Sequence, residues 1–236
     1  MTNAIVALTR GYKELSGYTW LIERNRAIET HLNKKLEYPL VLFHEGNIPE
    51  SHQRLIQAET KQEIIWKDIS EVWYGGYEAM CQFQTFHIWN YCKDYDMIMR
   101  VDEDCIIQRA AANPFDQMGA NVYLKTVYWE ESHTETNATL PQKIQSLTGQ
   151  DPSVFYNHKF PYTNVSAARV SFFTEKRMND LLYLIAMCPD QKKYRWGDLP
   201  VLGSVLNIFA RGRVGTMEGL VYRHISHANV IDTEHQ

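Results

Sequence analysis

Short apolar runs alternate with longer stretches of helical spacing through the first hundred residues. Ala4 to Leu8 reads as a buried strand, with Thr9-Arg10-Gly11 as the loop at its carboxyl end. Tyr18 to Lys35 places Trp20, Leu21, Ile28 and Leu32 on one face of a helix. Pro39 to Phe43 predicts a second strand, Ser51 to Ala58 a second helix and Glu63 to Trp66 a third strand. Gly75-Gly76 then breaks the chain, Tyr77 to Tyr91 returns to helical spacing, and Met97 to Val101 is a fourth apolar run. Strands and helices in alternation are the grammar of βαβ units, so the expected fold class is α/β with a mostly parallel sheet.

The second half is less regular. Asn121 to Trp129 alternates as a strand does, and Glu130 to Thr139 reads as a polar loop that contains the sequon Asn137-Ala138-Thr139. A short helix is expected over Pro141 to Gly149, a cleft-lining loop over Asn157 to Tyr162, a strand over Val170 to Phe173 and an amphipathic helix over Glu175 to Met187. The run Val201 to Ala210 predicts a buried helix, with Asp198 as its cap and Pro200 in its first turn. His87, on a largely aromatic helical face, reads as a core histidine rather than a ligand.

Composition narrows the class. With 44% hydrophobic and 22% charged residues over 236 positions, the chain suits one large globular domain and excludes disordered and fibrous classes. A net charge of -4 argues against a nucleic-acid partner held by bulk electrostatics. Cys81, Cys92, Cys105 and Cys188 lack CxxC spacing, so free thiols in a reducing compartment are expected rather than a zinc site. The apolar run at the N-terminus has no basic region before it, and no run of about 18 apolar residues follows; a soluble, cytoplasmic chain without a membrane span is expected, or a secretory-lumen one if it has been trimmed.

Chemistry concentrates where the fourth apolar run ends in Asp102-Glu103-Asp104, before Cys105-Ile106-Ile107 resumes. Along an extended backbone Asp102 and Asp104 share a side and Glu103 faces the other way. Two hard oxygen ligands on one side suit Mn²⁺ or Mg²⁺, with a diphosphate completing the shell. The spacing alone is weak, since 28 acids in 236 residues give a chance pair two apart roughly three times; the alternative is a solvated acidic turn. Thr9 and Arg10, at a strand's carboxyl end, are candidate nucleotide contacts. Tyr194 to Pro200 looks like a ligand loop with an exposed Trp196 beside Arg195 and Asp198, and His224 in Tyr222-Arg223-His224 is a candidate further metal ligand.

Five blocks in order carry a more specific likeness: Asn33 to Pro39 with Val41, Gly75-Gly76-Tyr77 leading to Met80-Cys81-Gln82-Phe83-Gln84, Tyr95 to Asp104, Arg195 to Val201, and Tyr222-Arg223-His224. On these the chain resembles the fungal-type α-1,2-mannosyltransferase family, glycosyltransferase family 15. The resemblance implies a GT-A fold in a single domain, with a nucleotide-binding half at about 1–108 and an acceptor-binding half at about 109–236. It implies retaining transfer of mannose from GDP-mannose to a glycan or glycoprotein acceptor, with Mn²⁺ or Mg²⁺ as cofactor. It further implies Asp102, Asp104 and His224 at the metal, Thr9, Arg10, Arg100 and Asp102 at the nucleotide, and Arg195, Trp196 and Asn164 at the sugar or acceptor. Two positions depart from the family: Asp102-Glu103-Asp104 stands for glutamate-proline-aspartate, and Ser166 stands where the family has its proposed nucleophilic glutamate. Catalysis then falls to Asp198, to Ser166, or to a front-face route in which the leaving diphosphate helps to deprotonate the acceptor. A UDP-sugar or another GDP-sugar donor, and a non-catalytic sugar-nucleotide or glycan-binding module, are the alternatives; a metal phosphoesterase would need a denser set of His and Asp ligands.

Overall fold

A computed structural model describes residues 2–35, 37–150, 158–227 and 229–234. In chain order the elements are β1 (Asn3–Thr9), α1 (Thr19–Ala27), β2 (Leu40–His44), α2 (Glu50–Gln57), β3 (Ile64–Asp68), α3 (Gly76–Gln82), α4 (Ile88–Tyr91), β4 (Met97–Val101) and β5 (Cys105–Ala110). There follow β6 (Tyr123–Lys125), β7 (Tyr128–Glu130), α5 (Thr134–Thr148), β8 (Lys159–Pro161), β9 (Val165–Arg169), α6 (Val170–Thr174) and α7 (Lys176–Ala186). Last come α8 (Pro189–Lys193), α9 (Asp198–Phe209), β10 (Val214–Thr216), β11 (Leu220–His224) and β12 (Asn229–Asp232).

Seven strands make one sheet in the order β10-β6-β9-β4-β1-β2-β3, parallel except for β9, which runs antiparallel between β4 and β6. Successive residues of β1 alternate between two cores: Ala4 and Val6 enter one, Ile5 and Ala7 the other. A sheet covered on both faces needs strands that are apolar throughout, and every residue of β2 and β4 is buried. Each fully buried Ile, Leu or Phe in these strands contributes about 1.5–3 kcal/mol. Polar exceptions therefore stand out. Arg100, Ser166 and Lys125 form a row across β4, β9 and β6, on the face where Ile98, Ala168 and Tyr123 are core.

The helix after Gly75-Gly76 runs from α3 through five residues of π winding, Phe83–His87, into α4. Trp89 anchors its end, stacked on Phe173 at 3.8 Å between centroids. Gly203 lets α9 lie against β8, because a Cβ there would fall 2.5 Å from Phe160. All four cysteines are free, and no described helix is long and apolar enough to cross a membrane.

Four expectations need correction. Polar residues 134–139 are helical: His133 accepts from the Thr136 N–H and starts α5, which continues through Pro141. The strand expected at Val170 to Phe173 is the helix α6, and the strand is the preceding Val165-Ser166-Ala167-Ala168-Arg169. Its small residues have weak strand preference alone, and pairing with two neighbours decides their state. Trp20, expected on the packed face of α1, is 43% exposed. Of the expected loop Asn157 to Tyr162, Asn157 lies outside the described residues and Lys159–Pro161 is β8.

Candidate active site

The strand order reverses between β1 and β4, and at their carboxyl ends a cleft of ≈ 870 Å³ opens. The turn after β1 supplies Thr9, Arg10, Gly11 and Tyr12; the turn after β4 supplies Asp102, Glu103 and Asp104; and the helix after Gly75 supplies Tyr77, Met80 and Gln84.

The three consecutive acids have three different partners. Glu103 accepts from the Thr9 hydroxyl at 2.8 Å, the Arg10 N–H at 3.2 Å and the Tyr12 hydroxyl at 2.8 Å, so it fastens one turn to the other. Burial and the Glu103 carboxylate push the Tyr12 phenol up to about 12. Asp102 takes both Nε and Nη2 of Arg100, at 2.7 and 3.0 Å. The remaining Arg100 nitrogen, Nη1, donates to Asp198 at 2.6 Å. Burial opposes the Arg100 charge, but the two carboxylates win and hold its pKa well above the ordinary value. Asp102 is lifted above the usual carboxylate range by loss of water, against the pull of Arg100.

Asp104 turns the other way, to the end of β11, where the Oδ2 atom lies 3.2 Å from His224 Nε2. Burial raises the Asp104 pKa, yet hydrogen bonds from His224 and Ser226 outweigh it and hold the group at about 2. Asn164 sets the imidazole. Its Oδ1 accepts from the Val165 N–H and the Tyr222 hydroxyl, so Nδ2 faces His224 Nδ1 at 3.2 Å and donates to it. Tyr162 also meets Nδ1, at 3.1 Å, so Nε2 is the ring nitrogen turned to Asp104.

The structure places Thr9, Arg10, Arg100, Asp102 and Asp104 along the cleft and the other candidate residues away from its lining. Arg10 is exposed at the cleft and Thr9 is buried beneath it. Trp196, expected to be exposed, is 1% accessible and donates through Nε1 to Thr139, because the core behind α5 takes the ring. Arg195 is exposed and lies 4.7 Å over the Tyr77 ring, which does line the cleft. Asn164 is buried and positions His224. Asp198 begins α9 without capping it, and its side chain turns to Arg100 instead. Ser166 is buried, its hydroxyl directed at Thr163 O at 3.4 Å. Glu103, read as facing away, and Tyr12, which no local pattern marks, join the two turns, and Gln84, quoted only within a matched block, lines the cleft. Arg24 is a further omission: it is fully buried on α1, donates to Val101 O at 3.1 Å behind the acidic turn, and is brought down to about 10 by burial.

Among the described residues, Asp104, Cys105 and His224 each offer one ligand atom within 4.8 Å of the others. An ionised carboxylate and an imidazole suit Mn²⁺ or Mg²⁺. The Cys105 thiol does not: burial and the neighbouring carboxylates push its pKa far up, so it stays protonated. The donor set thus fits a hard cation at Asp104 and His224, with Asp102 facing the same cleft but committed to Arg100.

No family model matches the chain, and no curated protein matches it in sequence. Solved structures do. Core-mannan synthase A (CmsA/Ktr4) from Aspergillus fumigatus, in its Mn/GDP form, superposes with a TM-score of 0.78 at 17% identity, over 95% of this chain and 75% of that one. The mannosyltransferase Ktr4p from S. cerevisiae in complex with GDP gives 0.78 at 13% identity, over 94% and 71%. The galactosyltransferase LgtC, in complex with donor and acceptor sugar analogs, gives 0.52 at 15%, over 92% and 73%. At such identities the likeness is one of architecture, and on it, together with the sheet order and the cleft, the chain has the GT-A glycosyltransferase fold.

Proposed function

We propose that the protein is a metal-dependent glycosyltransferase that moves a hexose from a nucleotide-sugar, in first place mannose from GDP-mannose, to a glycan acceptor. The observation that carries this reading is the meeting of Arg10, Asp102 and Asp104 in one cleft at the switch point, with His224 held against Asp104 from the far end of the chain. The fold is shared with mannosyltransferases whose structures hold Mn and GDP, or GDP. In this reading residues 1–108 form the nucleotide half and 109–236 the acceptor half.

Asp104 and His224 would hold the cation, which when bound supplies charge to the diphosphate as it leaves. Arg10, exposed at the mouth, meets the nucleotide phosphates. Arg100 is bonded on both sides, so its task is to fix Asp102 and Asp198 rather than to bind phosphate. Tyr77, with Arg195 stacked on it, forms the wall on the acceptor side.

Ser166 sits where a double displacement would need a carboxylate nucleophile, and neither its burial nor its bond to Thr163 O activates it. The arrangement favours a front-face route. The bond from the anomeric carbon to the diphosphate oxygen breaks while the acceptor oxygen bonds to the same face, and the acceptor proton passes to the departing diphosphate. The same Ser166 favours a second reading, a sugar-nucleotide-binding module without transfer.

Thermal unfolding of the purified protein against GDP- and UDP-sugars, with and without Mn²⁺, tests the binding step. A midpoint raised by one sugar nucleotide only with Mn²⁺ is expected. Transfer of radiolabelled sugar to a panel of mannosides then separates the two readings, and a flat response to every nucleotide would sink both.

A further inference from the structure

Gln84 is 2% exposed, and its Oε1 has no hydrogen-bond partner. A buried amide oxygen left unpaired loses its hydration with nothing in return, so such an atom calls for an explanation. Its place supplies one. Gln84 lines the large cleft beside Arg100, and it also lines a small cavity under the cleft floor, of ≈ 10 Å³, with Arg100, Tyr123 and Ser166. The cavity is close to the least space that admits one water.

The backbone is unusual at the same point. Gln84 is the second residue of the π segment Phe83–His87, inside an otherwise α-helical run. Such insertions are frequent at functional sites, because the extra residue turns one side chain out of the regular stripe, although Ile28–Leu32 is wound the same way. The guanidinium of Arg100 turns all three of its nitrogens to Asp102 and Asp198 and makes no hydrogen bond to Gln84 Oε1. What is missing at the cleft floor is a group that can give one hydrogen bond to the amide oxygen and is small enough to reach it.

We infer that the Gln84 amide reads a hydroxyl of the hexose carried by the nucleotide-sugar, and so separates the sugar nucleotide from the bare nucleotide diphosphate. The inference rests on the transferase reading above and adds the residue that recognises the sugar. A hydroxyl both donates and accepts, so either orientation of the amide serves. Arg10 and the acidic turn deal with phosphate and cation at the mouth. Gln84, deeper and uncharged, deals with the part of the donor that carries no charge.

The test compares wild type with Gln84→Met, which keeps the length and removes the amide, and with Gln84→Asn, which keeps the amide on a shorter stem. Affinity for GDP and for GDP-mannose, and for UDP and its glucose and galactose conjugates, is measured by calorimetry with Mn²⁺ present. The expected result is a roughly tenfold loss of affinity for the sugar nucleotide in Gln84→Met, with affinity for the nucleotide diphosphate unchanged. Donors lacking single hydroxyls close the cycle: one of them binds wild type about tenfold more weakly, yet binds Gln84→Met as well as the parent sugar does. If Gln84 merely holds a structural water, the variants change the unfolding midpoint but both ligand affinities stay at wild-type values, and the inference is overturned alone. If wild type binds no nucleotide at all, the transferase reading falls and takes this one with it. Should Gln84→Met fail to fold, equal losses of both ligands in Gln84→Asn would overturn the inference, and a selective loss of the sugar nucleotide would support it.

Discussion

Arg100 Nη1 and Asp198 Oδ2 lie 2.6 Å apart across 98 residues of sequence, with side chains 9% and 10% exposed. Together with Asp102 this makes a guanidinium shared by two carboxylates at the floor of the cleft. Removing one member of a buried pair leaves the rest uncompensated. Arg100→Met, which strands two acids, should cost on the order of 3 kcal/mol or more in urea unfolding, and Asp198→Asn somewhat less. A loss under about 1 kcal/mol in Arg100→Met would mean that water reaches the cluster freely.

Asp104 and His224 give a separable prediction. Asp104→Ala should abolish Mn²⁺-dependent transfer and tight Mn²⁺ binding, followed by electron paramagnetic resonance, while the circular dichroism spectrum keeps its wild-type form. Full turnover in that variant would rule out the assignment of the cation to this pair.

Ser166→Ala tests the route. With the serine hydroxyl outside the chemistry, turnover should stay within about threefold of wild type, whereas a fall of about a hundredfold or more would give the hydroxyl a chemical part.

Gly203 predicts a steric effect. A Cβ at this position meets Phe160 at 2.5 Å, and neither α9 nor β8 can retreat without opening the core. Gly203→Ala should destabilise by about 1–3 kcal/mol in the same unfolding assay; an unchanged midpoint would show that Phe160 has room to turn.

His44 ends β2, is buried, and accepts the Gly46 N–H on Nδ1 at 3.2 Å. Burial, only partly offset by Asp68, pulls its pKa below the ordinary 6.5. The unfolded chain thus takes up the proton at a higher pH than the folded one, and stability falls as pH drops below about 6.5. His44→Gln should flatten the slope of unfolding free energy between pH 6.5 and 5. Some slope of the same sign remains from His87, which burial also lowers.

The parallel half of the sheet was legible because β1, β2 and β4 are apolar runs separated by helical spacing, and a strand buried on both faces leaves that signature; the edge strand β3 is apolar only over its first three residues. The antiparallel insertion was not. Ser166, Ala167 and Ala168 carry no strand signal of their own, and the run after them was as apolar as a strand though it is helical. At the site, the acidic turn and His224 were legible from their residue types. Their division of labour was not, since Asp102, Glu103 and Asp104 differ in role only through Arg100, Tyr12 and His224, and the last two come from distant segments. Trp196 shows the converse error. Its polar neighbours suggested a surface loop, but Thr139 on α5, itself hidden in a polar stretch, covers the indole.

The inserted strand β9 also bears on how the molecule is made. The cleft is closed by contacts between partners 94 residues apart at Thr9 and Glu103, 98 at Arg100 and Asp198, and 60 at Asn164 and His224. Each such loop must be closed against chain entropy before its contacts return anything, so partners this distant form slowly. On the ribosome, β1 to β4 can pair while β9 is still unmade, leaving the edge of β4 bare until residues 165–169 emerge. Binding competence is therefore expected only once residue 224 has emerged, and a chaperone that shields the open edge should raise the yield of active protein more than it raises the yield of folded helix.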